Sequence, residues 1–307
     1  MRRSLGRVGW RVLLALICVP SISLAQDLEP RRWTHLPIGT DILGVGYAYT
    51  SGDLAFDPVL QIQDATVEMN TATVGYTRYF ALADRTARFD VVVPIQSGRW
   101  DGLVGGVPRS VNRDGLADPV MRLSANLVGA PALEPQEFAA FRKEHSVQTS
   151  VGAALELRLP LGEYQDDKLI NLGQNRFVIA PQLGMLHTDG EWSYELTGSM
   201  YFFTDNDEFF NGNKLEGDPL YAIQAHIVKT FEQDWWISAG AAYSWAGEST
   251  INGVPADDER SNLIYGTSLG FRLSASQSVR FAYVGIDTLN DVGADTNSLA
   301  VGWSFRF

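Results

Sequence analysis

Residues 296–307 read TNSLAVGWSFRF. From Ser298 the stretch alternates. Leu299, Val301, Trp303, Phe305 and Phe307 fall on one face, and Ser298, Ala300, Gly302, Ser304 and Arg306 on the other. A period of two with one greasy face and one small or polar face is a strand whose sides meet different surroundings. An aromatic strand with no polar tail is hard to cover in a soluble protein. It suits the closing strand of a transmembrane β-barrel, whose outward side chains meet lipid and whose edge pairs with the first strand.

The opposite end of the sequence sets the compartment. Arg2, Arg3, Arg7 and Arg11 precede the apolar run Val12–Val19, and Ser23-Leu24-Ala25 supplies a small-x-small cleavage site before Gln26. The pattern predicts a cleaved secretory signal over residues 1–25. Ile17 is too bulky ahead of Cys18 for a lipoprotein site. Cleavage removes the only cysteine, which excludes a disulfide framework, a thiolate metal site and a cysteine nucleophile. It also removes four arginines and no acid, taking the net charge from −12 to −16 and arguing against nucleic acid as a partner. No later stretch approaches the roughly 18 consecutive apolar residues of a membrane helix. Mean hydropathy is −0.06, a neutral balance that membrane barrels share with soluble proteins because only alternate residues face lipid.

Residues 26–40 (QDLEPRRWTHLPIGT) hold two prolines and no alternation, and are expected on the periplasmic side ahead of the barrel. Alternating runs follow at Ile42–Thr50, Val67–Phe80, Ala87–Gln96, Leu116–Leu127, Thr149–Leu159 and Arg176–Leu186. They continue at Trp192–Phe203, Tyr221–Val228, Trp235–Gly247, Asn262–Leu273 and Val279–Ile286, before the final strand. Ser97–Gly115, rich in glycine, reads as a long polar loop. Glu134 to Lys143 carries the single helical signal, with Pro135 at its start and Arg142-Lys143 in its last turn, and fits a short helix on a periplasmic turn. Short connections such as His187–Glu191 alternate with long ones such as Pro160–Asn175 and Thr204–Leu220. Short turns on one side and long loops on the other are the asymmetry of an outer-membrane barrel, and an even count of about twelve strands returns both ends to the periplasm.

A soluble β-sandwich has equally apolar inward faces. Two features favour the membrane. Most runs approach or exceed the roughly 9–11 residues a tilted membrane strand needs, against about 5–6 in typical globular strands. Aromatic residues recur near the ends of the apolar rows, as in Tyr47 and Tyr49, Trp192 and Tyr194, Tyr243 and Trp245, and Phe305 and Phe307, which is how interfacial girdles read. The fold class expected is therefore all-β, an antiparallel transmembrane β-barrel in the bacterial outer membrane. Its partners are outer-membrane lipid and lipopolysaccharide and, through the aromatic C-terminal residue, the barrel assembly machinery.

With the apolar rows outward, the opposite rows line the lumen. The candidate lumen-lining residues are Arg88, Asp90, Arg122, Glu156, Arg158, Arg176, Glu195, His226, Arg280 and Arg306. Both signs are interleaved, so they form either a brace or a polar constriction. Arg88, Arg280 and Arg306 are expected to gather around Asp90 and Glu195 near the periplasmic end. His226 is the only inward histidine within a strand; no set of metal ligands converges on it, and Ser199, one strand away, is a conceivable nucleophile that the spacing supports no further, so no metal, cofactor or catalytic role is assigned. The long loops are acidic (Asp166-Asp167, Asp207-Glu208, Asp257-Asp258-Glu259) and read as a solvated rim, with cation bridging to lipopolysaccharide as the functional option.

Several stretches resemble one family. They are LEPRRWTHLP (Leu28–Pro37), RLPLGEY with DDKLINLGQNRF (Arg158–Phe177), FFTDNDEFFNGN (Phe202–Asn213), GDPLYAIQAH (Gly217–His226) and GESTINGVPADDERSN (Gly247–Asn262). Together they resemble the outer-membrane transporters grouped as "putative MetA-pathway of phenol degradation". The resemblance implies a barrel associated with uptake of aromatic or other apolar compounds, and the function expected is a passive channel for small aromatic or hydrophobic solutes and not an enzyme. It carries no site residues. The competing readings are a barrel enzyme of lipase or protease type, for which the long loops lack any histidine, and a non-conducting structural or adhesion barrel.

Overall fold

The long alternating rows become long strands. The computed structural model describes residues 28–56, 62–232 and 234–307, so the expected signal segment lies outside the described residues. The first five strands are β1 (Asp41–Ala55), β2 (Ile62–Leu82), β3 (Arg85–Val104), β4 (Val107–Leu116) and β5 (Val120–Val128). The helix α1 (Pro135–Glu144) precedes β6 (Val147–Arg158), β7 (Val178–Asp189), β8 (Trp192–Phe203), β9 (Asn206–Phe209), β10 (Asn213–Gly217) and β11 (Leu220–Thr230). The chain ends with β12 (Trp235–Ala246), β13 (Ser249–Ile251), β14 (Val254–Pro255), β15 (Arg260–Arg272), β16 (Gln277–Thr288) and β17 (Gly293–Arg306).

Twelve of these strands close into an antiparallel barrel in sequence order. The closing contact is between β1 and β17, in continuous register from Ile42↔Arg306 to Ala55↔Gly293. Beyond it Asp41 and Phe307 exchange both backbone hydrogen bonds, at 3.1 and 2.9 Å. Closure leaves no open edge, which is the condition for a sheet to sit in hydrocarbon. The outward rows are apolar and bare: Leu43, Val45 and Tyr47 on β1, Leu183 on β7, Leu299 on β17. Rings stack along their ends, with Tyr221 on Trp245 at one rim and Phe231 on Trp235 at the other.

Short turns gather at the end assigned to the periplasm. Ala83 and Asp84 (φ 47° and 61°) make the tight β2–β3 reversal, and α1 sits on the longest connection at this end. Glu134 and Glu137 form a reciprocal capping box around its first turn.

Three expectations need correction. Ser97–Gly115 is not a loop: β3 runs on to Val104 and returns as β4, paired from Val104↔Val107 to Ile95↔Leu116. Its tip, Gly105-Gly106, has φ of 57° and 76°, the mirror-image turn that matches strand twist. The strand expected from Leu116 starts at Val120 instead, because Ala117-Asp118-Pro119 breaks the run. Below the break β5 takes over pairing with β3, from Val92↔Val120 to Ala87↔Ala125. Finally, the loops over 204–219 and 247–259 fold into a separate four-stranded sheet of β9, β10, β13 and β14 above the barrel.

Cysteines at Asn211 and Glu259, both exposed on that upper sheet and its flank, should react with an impermeant maleimide on intact cells. A cysteine at Asp189, the exposed last residue of β7, should not. Labelling at Asp189 alone would invert the strand directions.

Candidate functional site

The site is the barrel interior, and half of it is filled by a segment expected elsewhere. Residues 26–40 were placed ahead of the barrel on the periplasmic side, and Leu36–Thr40 does lie at that end, where the Gly39 amide donates to Tyr79 O at 2.9 Å. Of the described residues before it, Leu28–Trp33 runs into the lumen. Trp33 is 4% exposed, and its indole N–H donates to the Thr197 hydroxyl on β8 at 2.8 Å. Its ring lies against Gly152 on β6 and Gly184 on β7, packed by Ala154 and Leu186. A Cβ at Gly184 would stand 1.9 Å from the indole, so only glycine leaves room there. The Arg122 guanidinium covers the ring at 4.8 Å, a cation–π contact. The Arg31 amide donates to Glu195 at 2.8 Å.

The inward charges meet through this segment. Arg88 holds Asp90 at 2.6 Å and donates to Arg32 O at 3.2 Å. Asp90 also accepts from Thr77 at 2.6 Å and faces Arg122 at 3.9 Å. Arg122 donates to Gln182 at 3.0 Å, and Gln182 to Glu156 at 3.3 Å. Glu156 faces Arg32 at 4.0 Å. The cluster expected around Glu195 is not what forms. Arg280 pairs instead with Glu29 of the inserted segment at 3.5 Å, and Arg306 sits at the rim, donating to Ala275 O at 2.8 Å. Barrel stagger decides these partners, and Glu29 enters only because its segment is inside.

The remaining candidates are spread along the lumen. Arg158 is buried at the top of β6, and His226 is buried on β11 with its ring against Gly240 of β12. Ser199 registers opposite Ala222 and His226 opposite Glu195, so no serine–histidine pair forms on β8 and β11. Arg176 lies above the barrel strands in the outer mouth, stacked on Phe203 at 4.3 Å. It lines a cavity of about 50 Å³ with Phe209, Leu215, Asp218, Asp258 and Arg260. Part of the acidic rim is also paired: Lys214 lies between Asp205 (2.7 Å) and Glu216 (2.8 Å), whose hydrogen bonds hold its ammonium pKa above the usual lysine value. Among the described residues no group of three or more His, Asp or Glu is placed to hold a metal ion.

The other half of the interior is built from small residues. β1 turns Gly44, Gly46, Ala48 and Thr50 inward, and β17 turns Ser298, Ala300 and Gly302. These positions stay half-accessible, whereas the inward rows of β6, β7 and β8 are buried. Val92 points inward from β3 beside Gly75 and is still 38% exposed. A side chain inside a closed barrel is exposed only to a lumen space, so open space lies along this wall beside the inserted segment.

A lipid-facing barrel with such an interior can be compared with known proteins. The family described as "Putative MetA-pathway of phenol degradation" matches residues 49–302. The chain belongs to this family. Among solved structures, this family member is similar to the COG4313 outer membrane channel from Pseudomonas putida F1, with a TM-score of 0.74 at 19% identity over 92% of this chain and 100% of that one. The translocator domain of the autotransporter NalP from Neisseria meningitidis scores 0.49 at 12% identity, covering 89% of this chain and 90% of that one. The CymD monoaromatic hydrocarbon channel scores 0.46 at 8% identity over 89% of each chain. No curated protein sequence matches. The fold shared with the first of these puts this family member in the bacterial outer membrane.

The two kinds of charge contact should separate by magnitude. Asp90→Ala strands the buried Arg88 and Arg122 and should cost about 3–5 kcal/mol. Arg280→Ala breaks a half-exposed pair and should cost about 1 kcal/mol or less. Urea unfolding of the refolded barrel in bilayers reads both, and equal losses would contradict this division. Trp33→Ala should cost about 3–5 kcal/mol. Gly184→Ala should cost about 1–3 kcal/mol by overpacking. In a Trp33→Ala background the Gly184→Ala penalty should largely vanish, since the clashing ring is gone.

Proposed function

We propose that the barrel is a passive outer-membrane channel for small aromatic or other apolar compounds. The observation that carries this reading is the accessible lumen wall of β1, β16 and β17, with Val92 exposed inside a closed barrel. A barrel of about eight strands is filled by its own side chains, and one of 16 or more leaves an aqueous channel. Twelve strands fall between, and the inserted segment takes up part of the difference. What remains is a narrow path lined on β1 and β17 mostly by glycine, alanine, serine and threonine and elsewhere by Val92, Val284 and Ile286, with Arg280 and Glu29 half-exposed beside its periplasmic end. Such a path suits small solutes and disfavours general diffusion. The family description names phenol degradation, which supports an aromatic solute over a sugar or an amino acid.

An enzyme would need a nucleophile with its base at hydrogen-bond distance, and the strand register sets Ser199 and His226 apart. Passage therefore accounts for the interior better than catalysis.

Proteoliposomes containing the refolded barrel should admit phenol and benzyl alcohol faster than glucose or glycine. Empty liposomes supply the baseline for solutes that cross lipid unaided. Rates equal to that baseline for the whole panel would sink the channel reading.

A further inference from the structure

The passage is not open at both ends. Its accessible wall extends along β1 from Ile42 to Gly52 and along β17 from Ser304 up to Ser298. Toward the extracellular end the inward residues become buried: Leu54 on β1, Thr296 on β17 and Val67 on β2 beside Gly52, Met69 on β2 beside Thr50, and Trp100 on β3. Leu54, Phe56, Val67, Met69 and Trp100 form one apolar cluster at the extracellular end of β1, β2 and β3.

The loop between β6 and β7 completes this closure. It carries the run Leu169-Ile170-Asn171-Leu172. Ile170 and Leu172 pack onto the apolar cluster, while Leu169 lines the small cavity beside Phe203 and Phe209 on the other half of the mouth. The loop is fixed in that position. Asp118, at the break between β4 and β5, accepts from the Gly162 amide at 2.9 Å and the Gln174 amide at 2.8 Å. Arg113 on β4 donates to Ile170 O at 2.8 Å, and the Asn171 side chain closes the turn onto Gln165. Gly162 and Gly173 touch beneath Asp118, where a Cβ on either would fall within 2.9 Å of the other.

We propose that Ile170 and Leu172, packed onto the apolar cluster of Leu54, Val67, Met69 and Trp100, form a dry constriction that admits neutral apolar solutes and rejects ions and sugars. An ion or a sugar must keep its water, and a narrow apolar neck does not hold water, so hydrophobic constrictions block by dewetting. A neutral aromatic solute loses little on leaving water and gains contact with the lining side chains. The selectivity thus resides at the mouth, and the lumen charges below serve mainly to hold the inserted segment.

This rests on the channel reading, and the test separates the two. Four proteins are reconstituted in planar bilayers and liposomes: the wild type, the double variant Ile170→Ser with Leu172→Ser, the conservative pair Ile170→Val with Leu172→Met, and Asp118→Ala, which frees the loop without touching its apolar residues. Barrel assembly is checked by heat-modifiable migration. The serine pair should raise ion conductance several-fold and narrow the phenol-to-glucose ratio, the conservative pair should behave as wild type, and Asp118→Ala should shift in the same direction as the serine pair. If the serine pair does not assemble, Asp118→Ala carries the same readout. An active wild type whose conductance and solute ratio are unchanged in the serine pair and in Asp118→Ala overturns the constriction while leaving the channel. A wild type that passes no solute above the lipid baseline overturns the channel, and the constriction with it.

Discussion

Inside hydrocarbon, an amide or carbonyl without a partner costs several kcal/mol, and no water is present to take its place. The pairing of β1 with β17 removes that cost at the one seam where the sheet would otherwise have an edge. The rest of the molecule depends on it. Closure sets the strand number, the strand number sets the lumen width, and the width sets what the interior must hold. It also sorts the side chains, because each residue on a closed barrel faces either lipid or lumen.

A lumen of this width is too wide for its own side chains and too narrow to stand as an open pore. The chain fills one half with its own leading segment. Trp33 lies on Gly152 and Gly184, and His226 on Gly240, so large inward groups are matched by missing Cβ atoms on neighbouring strands. Buried charges are tolerated because each has several partners: Asp90 meets Arg88, Thr77 and Arg122. Removing one member of such a set strands the others, which is why these charges read as structural. The opposite half has nothing large on β1 or β17, and space is left there.

The two ends of the barrel are closed differently. At the periplasmic end, α1 packs against the incoming segment, with His35 edge-on to Phe138 at 4.9 Å and bonded to Pro131 O at 2.9 Å. At the outer end the closure is apolar and comes from loops, yet these loops are ordered by hydrogen bonds to buried carboxylates. Asp118 holds the β6–β7 loop, and Asp258 accepts from the Ser249 amide and hydroxyl at 2.6 and 2.9 Å in the upper sheet. A buried carboxylate that accepts backbone amides fixes a loop at the cost of its own hydration.

Much of this was legible from residue order alone. Strand alternation is local, so the barrel rows, their outward aromatic ends, the closing strand and the helix at Pro135–Glu144 follow from the sequence. The inward strand residues Arg88, Asp90, Arg122, Glu156, Arg158, Glu195, His226 and Arg280 follow as well, because parity along a strand decides which side a residue faces; Arg176, ahead of β7, does not. Some misses were still local. The pair Gly105-Gly106 between valines is a hairpin signal, and it was masked because the arms of β3 and β4 carry polar side chains on both faces. Other features had no local signal. Leu28–Thr34 has no period, and nothing in it announces that Trp33 will lie on glycines of β6 and β7. Nor does the order of residues say that Arg280 meets Glu29, or that Ile170 and Leu172 close the mouth. Period is a property of neighbouring residues in one strand, whereas contacts across the lumen depend on closure and on the stagger between strands far apart in the chain. The sequence by itself determined the wall of this protein; only the tertiary structure decided what the wall encloses.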